Sequence, residues 1–176
     1  MNETLMVTIA LAAFMIHEFE EIILIKPWIK RNYANIRLKH HYFMGFQNVS
    51  TATIAALIAE EFIIYSVFSV LAISLNEYSF IWVFYCIYSF HLLGHVLELL
   101  IYKRYCPSLI TSILTLPIYI WIILTFISLD LLQWNIVFLC FPLLFIIIGS
   151  NFKLINWLTP HLDHWISNYE KRRTNE

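Results

Sequence analysis

Residues 5–25 read LMVTIALAAFMIHEFEEIILI. As a helix this run is long enough to cross a ~30 Å hydrocarbon core, yet its second half carries His17, Glu18, Glu20 and Glu21. A charged side chain in mid-bilayer costs roughly 2.5–3.5 kcal/mol on insertion scales, so such residues mark a functional site by default. The reading of the fold therefore turns on whether the rest of the chain shelters them.

Composition answers first. The 176 residues are 60% hydrophobic and 13% charged, about half the charged share of a soluble domain. This is the composition of an integral membrane protein of the all-α class. The net charge of −1 points to no nucleic-acid partner. Cys86, Cys106 and Cys140 are far apart and odd in number, which indicates neither a disulfide framework nor a thiolate metal site. The first segment lacks a basic leader and is interrupted by carboxylates, so it reads as mature structure rather than a signal peptide.

Working outward, the turn signals predict five membrane-spanning helices over about 3–25, 51–74, 79–102, 108–129 and 131–152. The expected organisation is a single transmembrane bundle over 1–157. Lys26-Pro27 is expected to end the first helix, because the residue before proline is biased away from helix. Residues 26–46 form a basic, aromatic connection suited to the headgroup level. Ser50-Thr51 is a plausible start for the second helix, Pro107-Ser108 opens the fourth, and Pro142 is an expected kink in the fifth. A polar, basic tail over 158–176 closes the chain. All eleven Lys and Arg lie in the first connection, the third connection, or at and beyond the end of the fifth helix. By the positive-inside rule the N-terminus is outside and the C-terminus cytoplasmic, in a multi-pass protein of the cell membrane.

Three helices then bring polar groups to one depth. At 1.5 Å per residue, His17 and Glu21 lie roughly 12 and 6 Å from the cytoplasmic end of helix 1. His91, His95 and Glu98 lie roughly 16, 10 and 6 Å from that end of helix 3, and Glu60 and Glu61 roughly 14–15 Å along helix 2. His17, Glu20 and Glu21 share one helical face, as do His91, His95 and Glu98. Gly94 lies beside that second face and leaves room for another backbone. Glu18 is about 100° away from His17 and fits less well. One of Glu60 and Glu61 is expected to point in and the other sideways.

Histidines and carboxylates drawn from facing helices form a nitrogen/oxygen ligand set suited to zinc, iron or manganese. We read His17, Glu20, Glu21, His91, His95 and Glu98 as metal-facing, with zinc or non-haem iron favoured. Glu20, Glu21, Glu60 and Glu61 are the candidate acid/base groups. A lipophilic molecule reaching such a centre sideways from the bilayer would make this a hydrolase or an oxygenase. The same residues without metal would serve as a proton relay in a transporter, or as a polar network fixing helix packing in a structural subunit. His40-His41 read as interfacial residues of a basic loop. His161, Asp163 and His164, near Trp157 and Trp165, read as an interfacial anchor.

The H-E-F-E-E at 17–21 matches the signature of the HXXEE domain family. The histidine and acid cluster of helix 3 and the K-R-Y-C-P-S-L-I-T-S at 103–112 resemble that family's later pattern. The resemblance covers the chain from helix 1 to about helix 4. It implies a multi-span membrane protein of undefined activity, with an enzyme among the readings, and supplies no substrate.

Overall fold

In the computed structural model, which describes residues 2–35, 38–39 and 41–173, all regular structure is helical. Arg37 and His40 lie outside the described residues. The elements are α1 (Glu3–Asn32), a 3₁₀ turn (Tyr42–Phe46), α2 (Thr51–Leu75), α3 (Ser79–Tyr102), α4 (Leu109–Ser128) and α5 (Trp134–Arg173). α2, α3, α4 and α5 are long and apolar enough to cross a membrane. α1, at 30 residues, is longer than α2, α3 and α4, but its three clustered glutamates set it apart from those four. Outward positions carry large apolar side chains, such as Ile101 at 71% exposure and Phe138 at 73%. In water these would be a liability; against lipid tails they are the ordinary surface.

Local signals start and stop most of the helices. Asn2 accepts from the Thr4 N–H at 2.8 Å and caps α1. The Ser50 hydroxyl accepts from the Thr53 N–H and caps α2, as side-chain oxygens do at helix N-termini. α2 and α3 end on Asn76 and Lys103, both in the left-handed region. Two expected helix ends are overrun. α1 does not stop at Lys26-Pro27 but continues to Asn32, and α5, with Pro142 and Pro160 inside it, continues past 152 to Arg173. In α1, packing overrides the local bias. Trp28 and Ile29, just beyond Pro27, are buried with Ile25, Leu38, Phe43, Ile54, Ile58 and Cys106, and the Trp28 indole donates to the Tyr105 carbonyl at 2.8 Å.

That group is the smaller of two apolar cores. The larger gathers Met6, Ala10, Phe14, Tyr65, Tyr85, Tyr119 and Phe126. Small residues on α1 let neighbours approach its backbone, and the Tyr119 hydroxyl donates to the Ala10 carbonyl at 2.7 Å. Between Phe14 and Ile25 one core gives way to the other, and His17, Glu18, Glu20 and Glu21 occupy that step.

Residues 158–173, expected as a tail, continue α5. At 1.5 Å per residue α5 is about 60 Å long, so its last turns overreach the bundle and fold against the start of α2. Asp163 accepts from the Ser50 N–H at 2.8 Å and from the Thr53 hydroxyl at 2.6 Å. It sits where the helix dipole favours negative charge. His161, His164, Trp157 and Trp165 stay exposed. Asp163→Ala is expected to cost about 1 kcal/mol, the usual value of a lost cap. Amide exchange should quicken over residues 50–54, and unchanged exchange there would show the contact to be idle.

Candidate metal centre

His17 and Glu21 come from α1, His91 and His95 from α3. One ligand atom from each lies within 4.8 Å of all the others. The Nε2 atoms of His91 and His95 are 3.2 Å apart. Nε2 of His95 is 3.5 Å from Oε1 of Glu21, and Nε2 of His17 is 3.9 Å from the same oxygen. Around a tetrahedral zinc with 2.0–2.1 Å bonds to nitrogen, neighbouring ligand atoms stand about 3.3–3.4 Å apart. The His91–His95 and His95–Glu21 edges, at 3.2 and 3.5 Å, are close to that length, and the His17–Glu21 edge, at 3.9 Å, is slightly open.

The hydrogen bonds behind these residues decide which way their lone pairs point. Thr111 has one hydroxyl proton, and its closest acceptor is Oε2 of Glu20 at 2.6 Å. Toward Nδ1 of His17, 3.3 Å away, Thr111 therefore offers a lone pair. With Thr111 as the nearer hydroxyl, and Ser112 Oγ at 3.4 Å also able to accept, we assign the ring proton to Nδ1 and leave Nε2 bare. That Nε2 is buried and has no hydrogen-bond partner, on a residue with no exposure at all. A buried acceptor is almost always satisfied. This one faces two other imidazoles and a carboxylate, a donor set suited to a cation.

Glu20 does something else. Its Oε2 also accepts from the Thr111 N–H at 2.8 Å, and its Oε1 accepts from the Tyr105 hydroxyl. It therefore caps the N-terminus of α4 from a neighbouring helix and stands apart from the four-residue group. The partners of the motif come from the α3–α4 connection. Cys106 and Ser108 are buried there, Ser108 with φ of 73°, and the Ser108 hydroxyl donates to Oε1 of Glu21 at 2.7 Å. Ser112 Oγ lies 3.4 Å from Nδ1 of His17. Tyr105, Ser108, Thr111 and Ser112 all lie in the 103–112 stretch that carries the family resemblance, but nothing in the sequence assigned them a place in the site. Their signal was the recurrence of hydroxyls at the opening of an otherwise apolar helix.

Glu98 stands behind His95 rather than beside it, with Oε2 3.5 Å from Nδ1 of His95 and 3.3 Å from Nε2 of His41. A carboxylate behind a histidine is the usual outer shell of a metal site. His41 is 3% exposed, buried under the bundle and not at an interface as its loop position suggested. Cys106 completes a second group with His41 and Glu98. Burial, and next the charge of Glu98, push its thiol up to about 12. The folded chain thus holds this proton where the unfolded chain, with a thiol pKa near 8.5, releases it. Stability from this group is complete below about pH 8.5 and is lost as pH rises toward 12. Iodoacetamide at pH 8 should leave Cys106 unmodified until the protein is denatured; rapid labelling of the folded chain would contradict its burial.

The remaining acids part company. Glu61 lines a cavity of about 960 Å³ bounded by α1, α2, α3, α5 and the 3₁₀ turn. Glu60 faces α5 and accepts from Asn151 at 3.3 Å. Glu18 lies on the cavity wall, held by the Tyr88 hydroxyl at 3.3 Å. Glu21, His91, His95 and Glu98 reach the same cavity. Most of the rest of the wall is apolar, and among the described residues no Lys or Arg lines it. Gly94 does not admit another backbone. A Cβ placed there meets nothing within 4 Å, because the residue faces this cavity.

A family model described as a protein of unknown function with HXXEE motif matches residues 8–122. The chain belongs to this HXXEE family. No curated protein and no solved structure matches it. The matched stretch holds the motif His17, Glu20 and Glu21, the α3 histidines, and the hydroxyls of Ser108, Thr111 and Ser112. In this chain these are one contact network. α5, which supplies a wall of the cavity, lies beyond the match.

Proposed function

We propose that this chain is an intramembrane, metal-dependent enzyme of hydrolase or oxygenase type acting on a lipophilic substrate. α1 is its fifth span, the N-terminus is outside and the C-terminus cytoplasmic in a multi-pass protein of the cell membrane. The observation that carries the reading is the bare, buried Nε2 of His17 facing His91, His95 and Glu21. These four residues would hold zinc or iron, which supplies Lewis-acid activation of water or of a substrate oxygen when bound. The protein's own part is to orient the ligands through Thr111, Ser108 and Glu98 and to seat an apolar molecule in the cavity. Glu61 and Glu18, on the wall outside the ligand group, are placed to take or return a proton. Glu20 and Glu60 are committed to packing.

The test is metal content after purification in mild detergent, repeated after zinc or iron is added back. One or two equivalents support the reading, and a clean absence after both additions ends it. A second reading, a proton-coupled transporter, draws on the unbroken series His41, Glu98, His95 and His91. It requires pH-dependent flux without stoichiometric metal. The cavity has its own test. Gly94→Leu should leave fold and metal content intact while weakening a fluorescent single-chain lipid probe about tenfold. Unchanged probe binding would place the substrate elsewhere.

A further inference from the structure

We propose that His41, from the connection between α1 and α2, is a positioning residue for the centre, acting through Glu98 on His95. The inference rests on the metal reading only in treating the Nε2 atom of His95 as a ligand; the hydrogen-bond argument stands without it.

The argument begins at the 3₁₀ turn. His41 caps it, and Nδ1 accepts the Phe43 backbone N–H at 3.2 Å. A neutral imidazole that accepts on one nitrogen carries its proton on the other. Nε2 of His41 is therefore N–H, and it stands 3.3 Å from Oε2 of Glu98. That oxygen is also 3.5 Å from Nδ1 of His95. A carboxylate only accepts, so Nδ1 of His95 is the protonated nitrogen there and its Nε2 keeps a lone pair. This lone pair points at Nε2 of His91 and Oε1 of Glu21.

Nε2 of His41, Nδ1 of His95 and Oε2 of Glu98 are all buried, and none makes a hydrogen bond of ordinary geometry, even to the others at 3.3 and 3.5 Å. Two donors thus face one acceptor. A movement of about half an ångström would bring both contacts to the ordinary 2.9–3.0 Å. The same tautomer argues against a second metal held by His41, Glu98 and Cys106. With Nδ1 committed to the backbone, Nε2 has no lone pair to give, and the Cys106 thiol faces the Arg104 carbonyl at 4.0 Å.

The turn is built to hold His41 still. The rings of Trp28, Phe43 and Tyr102 box the imidazole, with centroids 4.8, 5.1 and 5.1 Å away. The Lys26 ammonium donates to the carbonyls of Phe46 and Gln47 at 3.1 and 2.8 Å, pinning the turn to α1. A residue outside the long helices thereby sets which nitrogen of His95 is free.

The experiment reads ring tautomers by long-range proton–nitrogen NMR on the full-length, metal-free protein with ¹⁵N-labelled histidine. Wild type should show His95 protonated on Nδ1 and His41 on Nε2. In His41→Phe, which keeps a ring but removes the donor, His95 should become a mixture of tautomers. His41→Gln, whose amide N–H can replace the donor, should restore it. Zinc affinity should fall about 10- to 100-fold in His41→Phe, the usual effect of losing an outer-shell partner, and recover in His41→Gln. His95 protonated on Nε2 in wild type overturns the proposal without any variant, as do unchanged His95 signals in a folded His41→Phe. If wild type shows the tautomers but takes up no zinc, the relay stands and the metal reading falls.

Discussion

His17→Ala is expected to abolish the stoichiometric metal binding proposed for this chain. Of the four ligand candidates, His17 is the one with no exposure and no partner for its ligating nitrogen. Its removal takes away a ligand that no neighbour can replace. Wild type purified with metal should lose its one or two equivalents on this single change. Linkage gives a second readout. A ligand that binds only the folded chain stabilises it by about 2.7 kcal/mol at a hundred times its Kd. Zinc or iron at that excess should raise the unfolding midpoint of wild type in detergent and leave that of His17→Ala where it was. Equal metal content in the two proteins, or equal shifts, would remove the centre from this molecule.

The two glutamates of the motif should behave as opposites. Glu20→Ala strands the Thr111 N–H, the Thr111 hydroxyl and the Tyr105 hydroxyl, all of which donate to it. Hydrogen bonds to a charged group contribute about 1.5–3 kcal/mol each and do not add fully, so a loss of about 3 kcal/mol is expected. α4 should loosen at its N-terminus. Glu21→Gln keeps its size and retains an oxygen that can accept from Ser108. It should cost less than about 1 kcal/mol while impairing metal uptake as His17→Ala does. Reversible unfolding in mixed micelles, paired with metal analysis, separates the two. A stable Glu20→Ala that fails to bind metal would make Glu20 a ligand and reverse the assignment made from its hydrogen bonds.

Much of this architecture was legible before any coordinates. Four helices are apolar enough to cross a membrane because a bilayer demands long runs of such residues, and those runs stand out in any window. Ser50 marked a helix start, since capping is a local property of a few side chains; Pro107-Ser108 marked another, although Glu20 rather than Ser108 caps it. The grouping of His17 and Glu21 with His91 and His95 could be anticipated from depth and helical face, which follow from a constant rise per residue. Other features resisted the sequence. Pro27 reads as a stop, but burial of Trp28 and Ile29 carries the helix through it. His41 reads as a surface residue, because nothing local reveals the aromatic box that covers it. Asp163 reads as part of a tail, because its partners lie 110 and 113 positions away in sequence.

By itself, then, the sequence determined the membrane class, the helical periodicity and the co-location of histidines with acids. These depend on composition and on a repeat of 3.6 residues. Only the tertiary structure decided the roles of the acids. Glu21 turns to the histidines, Glu20 caps α4, Glu98 backs His95, Glu61 faces the cavity and Glu60 faces Asn151. Neighbouring glutamates on one helix are alike to any local rule. What separates them is the donor each one meets, and those donors arrive from helices that are distant in sequence and packed side by side in space.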